Sequence, residues 1–457
     1  MKPVEVGFDT IGNATIICYD KAPVLVTDPW IKGSAYFGSW GLSHTIPEEQ
    51  LLAIGKCKYV WYSHGHPDHL NWDSINDFRE QTILLPNHYG KRIYNGLQQE
   101  GFKAEILQDK KWYRLSDKVR VMCFADMFQD AVLLIDINGR LIVNTNDASR
   151  ALIWNHEVRR IIKKFDKTFL LSLTGHGDAE MINFRDESGN LVEPPELMKK
   201  NPLGAMIKEN LEFYGIKTFV PFSSLHRYQR SDSIWAEAVS VKMEEYQEAH
   251  LQEAKRNFPP FIRYDCALDT FEEINPEKNP AVIYEPAHFG DDWSERLENA
   301  DIETVRKYFT AVEGLRDYWD FVNVKIGGEE HLIELKKTGF KVGITFEAPK
   351  NSFMFSVNNN IFEDMLIGNY MRTTWHGKLP SSRLYPDTLP LVKYADNGLC
   401  YTKAEVEQYV EEYRKRYPFD SMMESFQKKC AGVMRKVVNE DSGIYNFARK
   451  INTKLRN

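Results

Sequence analysis

Ser63-His64-Gly65-His66-Pro67-Asp68-His69 gathers three imidazoles and a carboxylate into one short turn. It follows Lys58-Tyr59-Val60-Trp61-Tyr62, an apolar and aromatic run that predicts a strand entering a buried sheet. Beyond it, Trp72-Asp73-Ser74-Ile75-Asn76-Asp77-Phe78-Arg79 predicts the start of a helix. The turn therefore stands where a strand ends and a helix begins, the edge at which open α/β sheets hold their ligands. His64 and His66 lie two apart on extended backbone, so both rings can face one metal ion. Asp68 and His69 come after the chain has turned and can reach a second ion, with Pro67 stiffening the turn and Gly65 leaving room. Neutral imidazole and carboxylate suit zinc, iron or manganese, and paired ions can hold both a substrate and an activated oxygen species. The chain has 12 histidines, and three of them beside one aspartate in a single turn is not the pattern of an ordinary surface loop.

His64-x-His66-x-Asp68-His69 after a hydrophobic strand resembles the metal signature of the metallo-β-lactamase superfamily. Val24-Leu25-Val26-Thr27-Asp28-Pro29-Trp30 is similar to that superfamily's early strand, which ends in a structural aspartate. Leu141-Ile142-Val143-Asn144-Thr145-Asn146-Asp147 resembles its later strand, which delivers a bridging one. The resemblance implies an α/β fold, the αββα metallo-β-lactamase sandwich, with a binuclear site between the sheet edges and Asp147 as the bridge. It covers the N-terminal part of the chain. The expected division is a catalytic domain over 1–275 and a smaller α+β C-terminal domain over 276–457 that covers substrate or dimerises.

The superfamily's hydrolases carry a further histidine for the first metal ahead of the bridging aspartate. Here no histidine lies between His88 and His156, and Asp126 and Asp130 stand in that region. Asp126 is the expected ligand and Asp130 its rival. A carboxylate in place of an imidazole makes the site harder and more oxygen-rich, which favours iron or manganese over zinc. A carboxylate in this slot resembles the oxygen-activating di-iron members. Thr27-Asp28-Pro29-Trp30, Gly38-Ser39-Trp40, Asn144-Thr145-Asn146-Asp147 and Pro221-Phe222 are similar to the catalytic domain of the CMP-N-acetylneuraminate hydroxylase family. The paired Cys-x-His and Cys-x-x-His ligands of that family's Rieske centre are not in the sequence, so electrons would come from a separate electron-transfer protein. For the second metal a later histidine is expected: His226, after a buried-looking strand, with His176 in Thr-Gly-His-Gly-Asp as competitor. His176 and Asp28 are otherwise candidates to support the ligands.

The resulting expectation is a di-iron oxygenase or hydroxylase acting on a small polar metabolite, with zinc or manganese as the alternative metals. His64, His66 and Asp126 would hold one ion, Asp68, His69 and His226 the other, and Asp147 would bridge. A binuclear hydrolase of phosphoesters, amides or lactones is the second reading, and a non-catalytic binding fold the third. The intact turn and Asp147 argue against the third.

The 457 residues are enough to bury a large core, and a net charge of −7 gives no electrostatic footprint for nucleic acid. Six cysteines lie scattered without a Cys-x-x-Cys pair, which predicts buried thiols rather than disulfides. No signal-like segment opens the chain and no apolar run approaches the roughly 20 residues of a membrane span, so a cytoplasmic protein is expected. Trp30–His44 predicts an aromatic, glycine-rich loop over the site mouth. Thr45-Ile46-Pro47-Glu48 and Thr402/Glu405 predict capping boxes, and Ser352-Phe353-Met354-Phe355-Ser356-Val357 predicts a strand.

Overall fold

The computed structural model describes residues 4–148, 154–173, 184–190, 203–238, 240–252, 257–336, 341–377 and 389–422. Two sheets form the N-terminal part. The first, of eight strands, runs Thr270–Glu273, Ile262–Asp265, Val6–Ile11, Thr15–Asp20, Ala22–Thr27, Tyr59–Trp61, Thr82–Pro86, Lys103–Leu107. The second, of six, runs Thr218–Pro221, Lys167–Ser172, Arg140–Asn146, Ala131–Ile137, Val119–Ala125, Tyr113–Arg114.

Side-chain alternation decides how they stack. Phe8, Ile16, Cys18, Leu25 and Trp61 of the first sheet meet Val121, Cys123, Leu133, Ile142 and Phe169 of the second in one buried core. Their alternate neighbours point outward. Ile17, Val26, Val60 and Ile83 pack under Ala53, Ile54 and Leu97 from the helices Glu48–Lys56 and Arg92–Gln99. Met122, Phe124, Leu134 and Val143 pack under Val158, Ile161 and Leu211 from Asn155–Ile162 and Leu203–Tyr214. The result is the αββα layering that the resemblance implies. Sheets covered on both faces need apolar side chains on both, which is why these strands read as continuous hydrophobic runs. Ala22–Thr27 runs parallel to Tyr59–Trp61, and Arg140–Asn146 is parallel to Lys167–Ser172, itself parallel to Thr218–Pro221. Their carboxyl ends bring Asp28, the Ser63–His69 turn, Asp147 and Ser223 to one place.

A third sheet orders Phe184–Arg185, Arg372–His376, Gly343–Glu347, Phe321–Ile326 and Glu329–Glu334, over a core of its own. Here the structure corrects two local expectations. Ser352–Val357 lies inside a helix, Lys350–Asn359, not a strand. Alternation would bury Phe353, Phe355 and Val357 together. Phe355 is instead 51% exposed, while Phe353, Met354 and Val357 are buried at helical spacing behind the N-cap Pro349. The helix at Glu48–Lys56 begins without a side-chain cap, because its N-cap falls on Pro47, two residues past Thr45. The second capping box forms, Thr402 accepting from the Glu405 N–H at the head of Lys403–Arg416.

Trp30, Tyr36 and Trp40 of the aromatic segment are buried among Tyr228, Ala236 and Ile367 rather than open to solvent. Five cysteines, Cys18, Cys57, Cys123, Cys266 and Cys400, are free and buried, and Cys430 lies outside the described residues. No helix among the described residues is long and apolar enough to cross a membrane.

Phe169 seals the seam between the two sheets, its ring 5.4 Å from Phe8 and 4.7 Å from Tyr264. Phe169→Ala is expected to cost about 3–5 kcal/mol in urea unfolding. A cost under about 1 kcal/mol would contradict a core shared by both sheets.

Candidate metal centre

His64 Nε2 and His66 Nδ1 face each other at 2.8 Å. Two imidazole nitrogens this close, with Asp147 beside them, point at the same small volume: ligand atoms of His64, His66 and Asp147 all lie within 4.8 Å of one another. Asp147 Oδ2 stands 3.9 Å from His64 Nε2 and 3.5 Å from His69 Nε2, between the two halves of the turn. On the far half, His69 Nε2 is 3.3 Å from Asp68 Oδ2 and 3.3 Å from Ser223 Oγ, whose hydroxyl donates to Asp147.

Each of these side chains is held from behind. Asp28 accepts the Ser63 N–H at 2.8 Å and hydroxyl at 2.9 Å, and the Asn146 amide at 2.6 Å. Its Oδ2 also sits 3.2 Å from His69 Nδ1, which leaves His69 Nε2 aimed at Asp147. Tyr36 donates to Asp68 Oδ1 at 2.6 Å and Asn13 to Asp68 Oδ2 at 2.9 Å. Asp28, Tyr36, Asn146 and Ser223 all have positive φ, at 40°, 50°, 45° and 66°. Left-handed backbone at non-glycine residues is costly, and it gathers where surrounding structure over-determines a site.

Asp126 and Asp130 are both buried at the end of Val119–Ala125 and the start of Ala131–Ile137. Asp130 Oδ1 is 4.0 Å from His64 Nε2. Asp126 Oδ1 accepts the backbone N–H groups of Phe128 and Asp130. Among the described residues, Asp126 Oδ2 and Asp130 Oδ1 have no hydrogen-bond partner. Burial pushes both carboxyls up, and Asp130 adds to the rise at Asp126. Burial likewise holds the His64 imidazole well below its ordinary range. Orphaned buried carboxylate oxygens beside converging imidazoles are the donor set that a divalent cation satisfies. The residues fit a metal.

The sequence-predicted residues are thus distributed as follows. His64, His66, Asp68, His69 and Asp147 come together, with Asp130 at their margin and Asp126 supporting its turn. His226 lies in the strand His226–Tyr228, its ring stacked on Trp40 at 3.4 Å and 4°. Trp40 packs on Tyr36, the donor to Asp68, so two aromatic rings stand between His226 and Asp68. His176 lies outside the described residues.

Sequence reasoning missed Glu363 and Lys393. Glu363 Oε2 is 3.5 Å from His66 Nε2, and Glu363 Oε1 is 3.3 Å from Lys393 Nζ. The only local signal is a pair of acids inside the apolar run Ile361–Ile367, both buried. Glu363, Lys393, Asp396, Gln129 and Ile93 line a cavity of about 20 Å³ against His64 and His66, room for one water-sized molecule.

No family model matches the chain. A stretch of 159 residues is 30% identical to the cytidine monophosphate-N-acetylneuraminic acid hydroxylase of Asterias rubens, covering 32% of this chain and 24% of that protein. The hydroxylase of Sus scrofa is 25% identical over 135 residues, 28% of this chain and 31% of its own length. The match therefore spans less than a third of either relative. Among solved structures, an isothiocyanate hydrolase from Delia radicum gut bacteria superposes with a TM-score of 0.36 and 14% identity, over 56% of this chain and 97% of that one. A diiron β-hydroxylase from Streptomyces venezuelae superposes with a TM-score of 0.38 and 12% identity, over 60% and 55%. The layered sheets and the metal turn make this chain one that resembles the metallo-β-lactamase superfamily. Within it, the sequence likeness runs to the CMP-N-acetylneuraminic acid hydroxylases.

The buried carboxyl of Asp396 accepts from the Tyr308 hydroxyl and the Phe362 N–H. Burial pushes it up to about 7, against those hydrogen bonds. A carboxyl raised in this way keeps its proton in the folded chain after the unfolded chain has released it. Stability from this group is therefore lost as pH climbs from about 4 to about 7. Metal-free Asp396→Asn is expected to lose less stability across that window than the wild type in urea titrations, and identical slopes would contradict the assignment.

Proposed function

We propose that the chain is a binuclear metal enzyme, a hydroxylase of a small polar metabolite that uses dioxygen and a separate electron-transfer protein. The observation that carries this reading is the convergence of His64, His66 and Asp147 within 4.8 Å. In the proposal His64 and His66 hold one ion with Asp130, backed by Asp126. Asp68 and His69 hold the other with His226, and Asp147 lies between. Two carboxylates beside the first ion support iron or manganese ahead of zinc, and the likeness to hydroxylases supports iron and oxygen chemistry. When bound, a pair of such ions supplies a place for dioxygen to be activated next to substrate.

The chain's own residues hold that place in shape. Asp28 and Ser63 keep His69 turned toward Asp147. Tyr36 and Asn13 occupy one lone pair on each Asp68 oxygen, so the carboxylate cannot swing away. Ile93 lines the small cavity against the two imidazoles and gives it an apolar wall.

Elemental analysis and an optical spectrum of protein expressed without added metal test the reading. Two irons per chain with near-ultraviolet charge-transfer absorption are expected. Zinc with a featureless spectrum would contradict it and return the metal-dependent hydrolase, to be screened on phosphoesters, amides and lactones. Asp147→Ala is expected to lose most bound metal. His226→Ala is expected to retain one ion of the two, and retention of both would remove His226 from the ligand set.

A further inference from the structure

We infer that Glu363 is the positioning residue for His66: it accepts the Nε2–H of the imidazole and so fixes Nδ1 as the nitrogen that faces the metal, while Lys393 holds Glu363 in place. The inference rests on the reading of His66 as a metal ligand and assigns to the C-terminal part of the chain a share in the metal centre.

The geometry begins at the ring. His66 Nδ1 is turned to His64 Nε2 at 2.8 Å, so the opposite nitrogen, Nε2, points away from the metal position. What it points at is Glu363 Oε2, 3.5 Å away. Both atoms are buried, and among the described residues neither has a hydrogen-bond partner; each has the other as its facing group at ion-pair distance. A buried ring nitrogen and a buried carboxylate oxygen left unpaired each carry a desolvation penalty, and a small approach from 3.5 Å lets one N–H relieve both. An imidazole whose outer N–H meets a carboxylate has its tautomer and orientation set, and its inner nitrogen becomes a stronger donor to a metal.

Glu363 is itself immobilised. Its side chain is 7% exposed, and its other oxygen lies 3.3 Å from the Lys393 ammonium, whose side chain is 8% exposed. Lys393 sits on the helix Leu389–Gly398 and Glu363 on Phe362–Ile367. The short helix is anchored at its first N–H by Asp396. Arg92, from the helix beside the first sheet, donates to the Asn360 and Asp396 carbonyls at 2.7 and 3.0 Å. That guanidinium ties the segment just before the short helix, and the helix that carries Lys393, to the N-terminal part.

The test uses the full chain, stripped of metal and titrated with zinc against a competing chelator, in wild type, Glu363→Gln and Glu363→Leu. Glu363→Leu removes the acceptor and is expected to weaken zinc about 10–100-fold, the usual effect of losing such a partner. Glu363→Gln keeps an acceptor of the same shape without the charge and is expected to fall between. Two-bond ¹H–¹⁵N spectra of the zinc-loaded protein supply a readout that packing alone would not move. The His66 signal, assigned by its loss in His66→Gln, should show an Nε2–H tautomer with a slowly exchanging ring proton. In Glu363→Leu that proton should exchange quickly. Variants with wild-type zinc affinity and an unchanged His66 ring proton would overturn the inference while leaving the metal centre standing. A wild type that binds no zinc would overturn both.

Discussion

The buried carboxylate of Asp28 is the constraint on which the site depends. It is 0% exposed and takes hydrogen bonds from the Ser63 N–H, the Ser63 hydroxyl and the Asn146 amide, with His69 Nδ1 against the same oxygen. Asp28 and those groups belong to three different places: the end of a strand in the first sheet, the metal turn, and the end of a strand in the second sheet. A buried charge without such partners would be costly. With them it locks the two sheet edges in register at the point where the ligands emerge. The positive φ angles of Asp28 and Asn146 are held by this same clamp.

What the clamp achieves is preorganisation. His69 cannot rotate without losing Asp28, and Asp68 cannot rotate without losing Tyr36 and Asn13. The ligand atoms therefore converge through contacts of the chain itself, and a metal ion would meet donors already aimed at it. Asn13 extends the support outward: its carbonyl accepts the Ser223 N–H and its side chain the Leu225 N–H, so the segment leading to His226 is bound to the same base.

The turn from Ser63 to His69 is legible in the sequence because its ligands are local and its strand is buried on both faces. The Asp28 and Asp147 strand ends are legible through resemblance for the same reason. Ser352–Val357 misleads, because Phe353, Phe355 and Val357 alternate as a strand would, while the contacts that bury Met354 and leave Phe355 out come from distant elements. Thr45 offers a capping pattern that the structure leaves unused, since the helix starts two residues later, with Pro47 at its N-cap. Glu363 is illegible for a deeper reason. Two acids in an apolar run say that something must neutralise them, but only the folded chain brings His66 and Lys393 to one of them. Local pattern carries the primary ligands; long-range packing carries the groups that orient them.

The central claim is that two metal ions lie at the meeting of the sheet edges, with Asp147 between them. Anomalous diffraction from crystals of the protein as purified, collected on both sides of the iron and zinc absorption edges, measures this directly. The account predicts two peaks that vanish below the iron edge, one against His64 and His66 and one against Asp68 and His69, each within ligand distance of Asp147. No peak there, or a peak away from these five side chains, would contradict it.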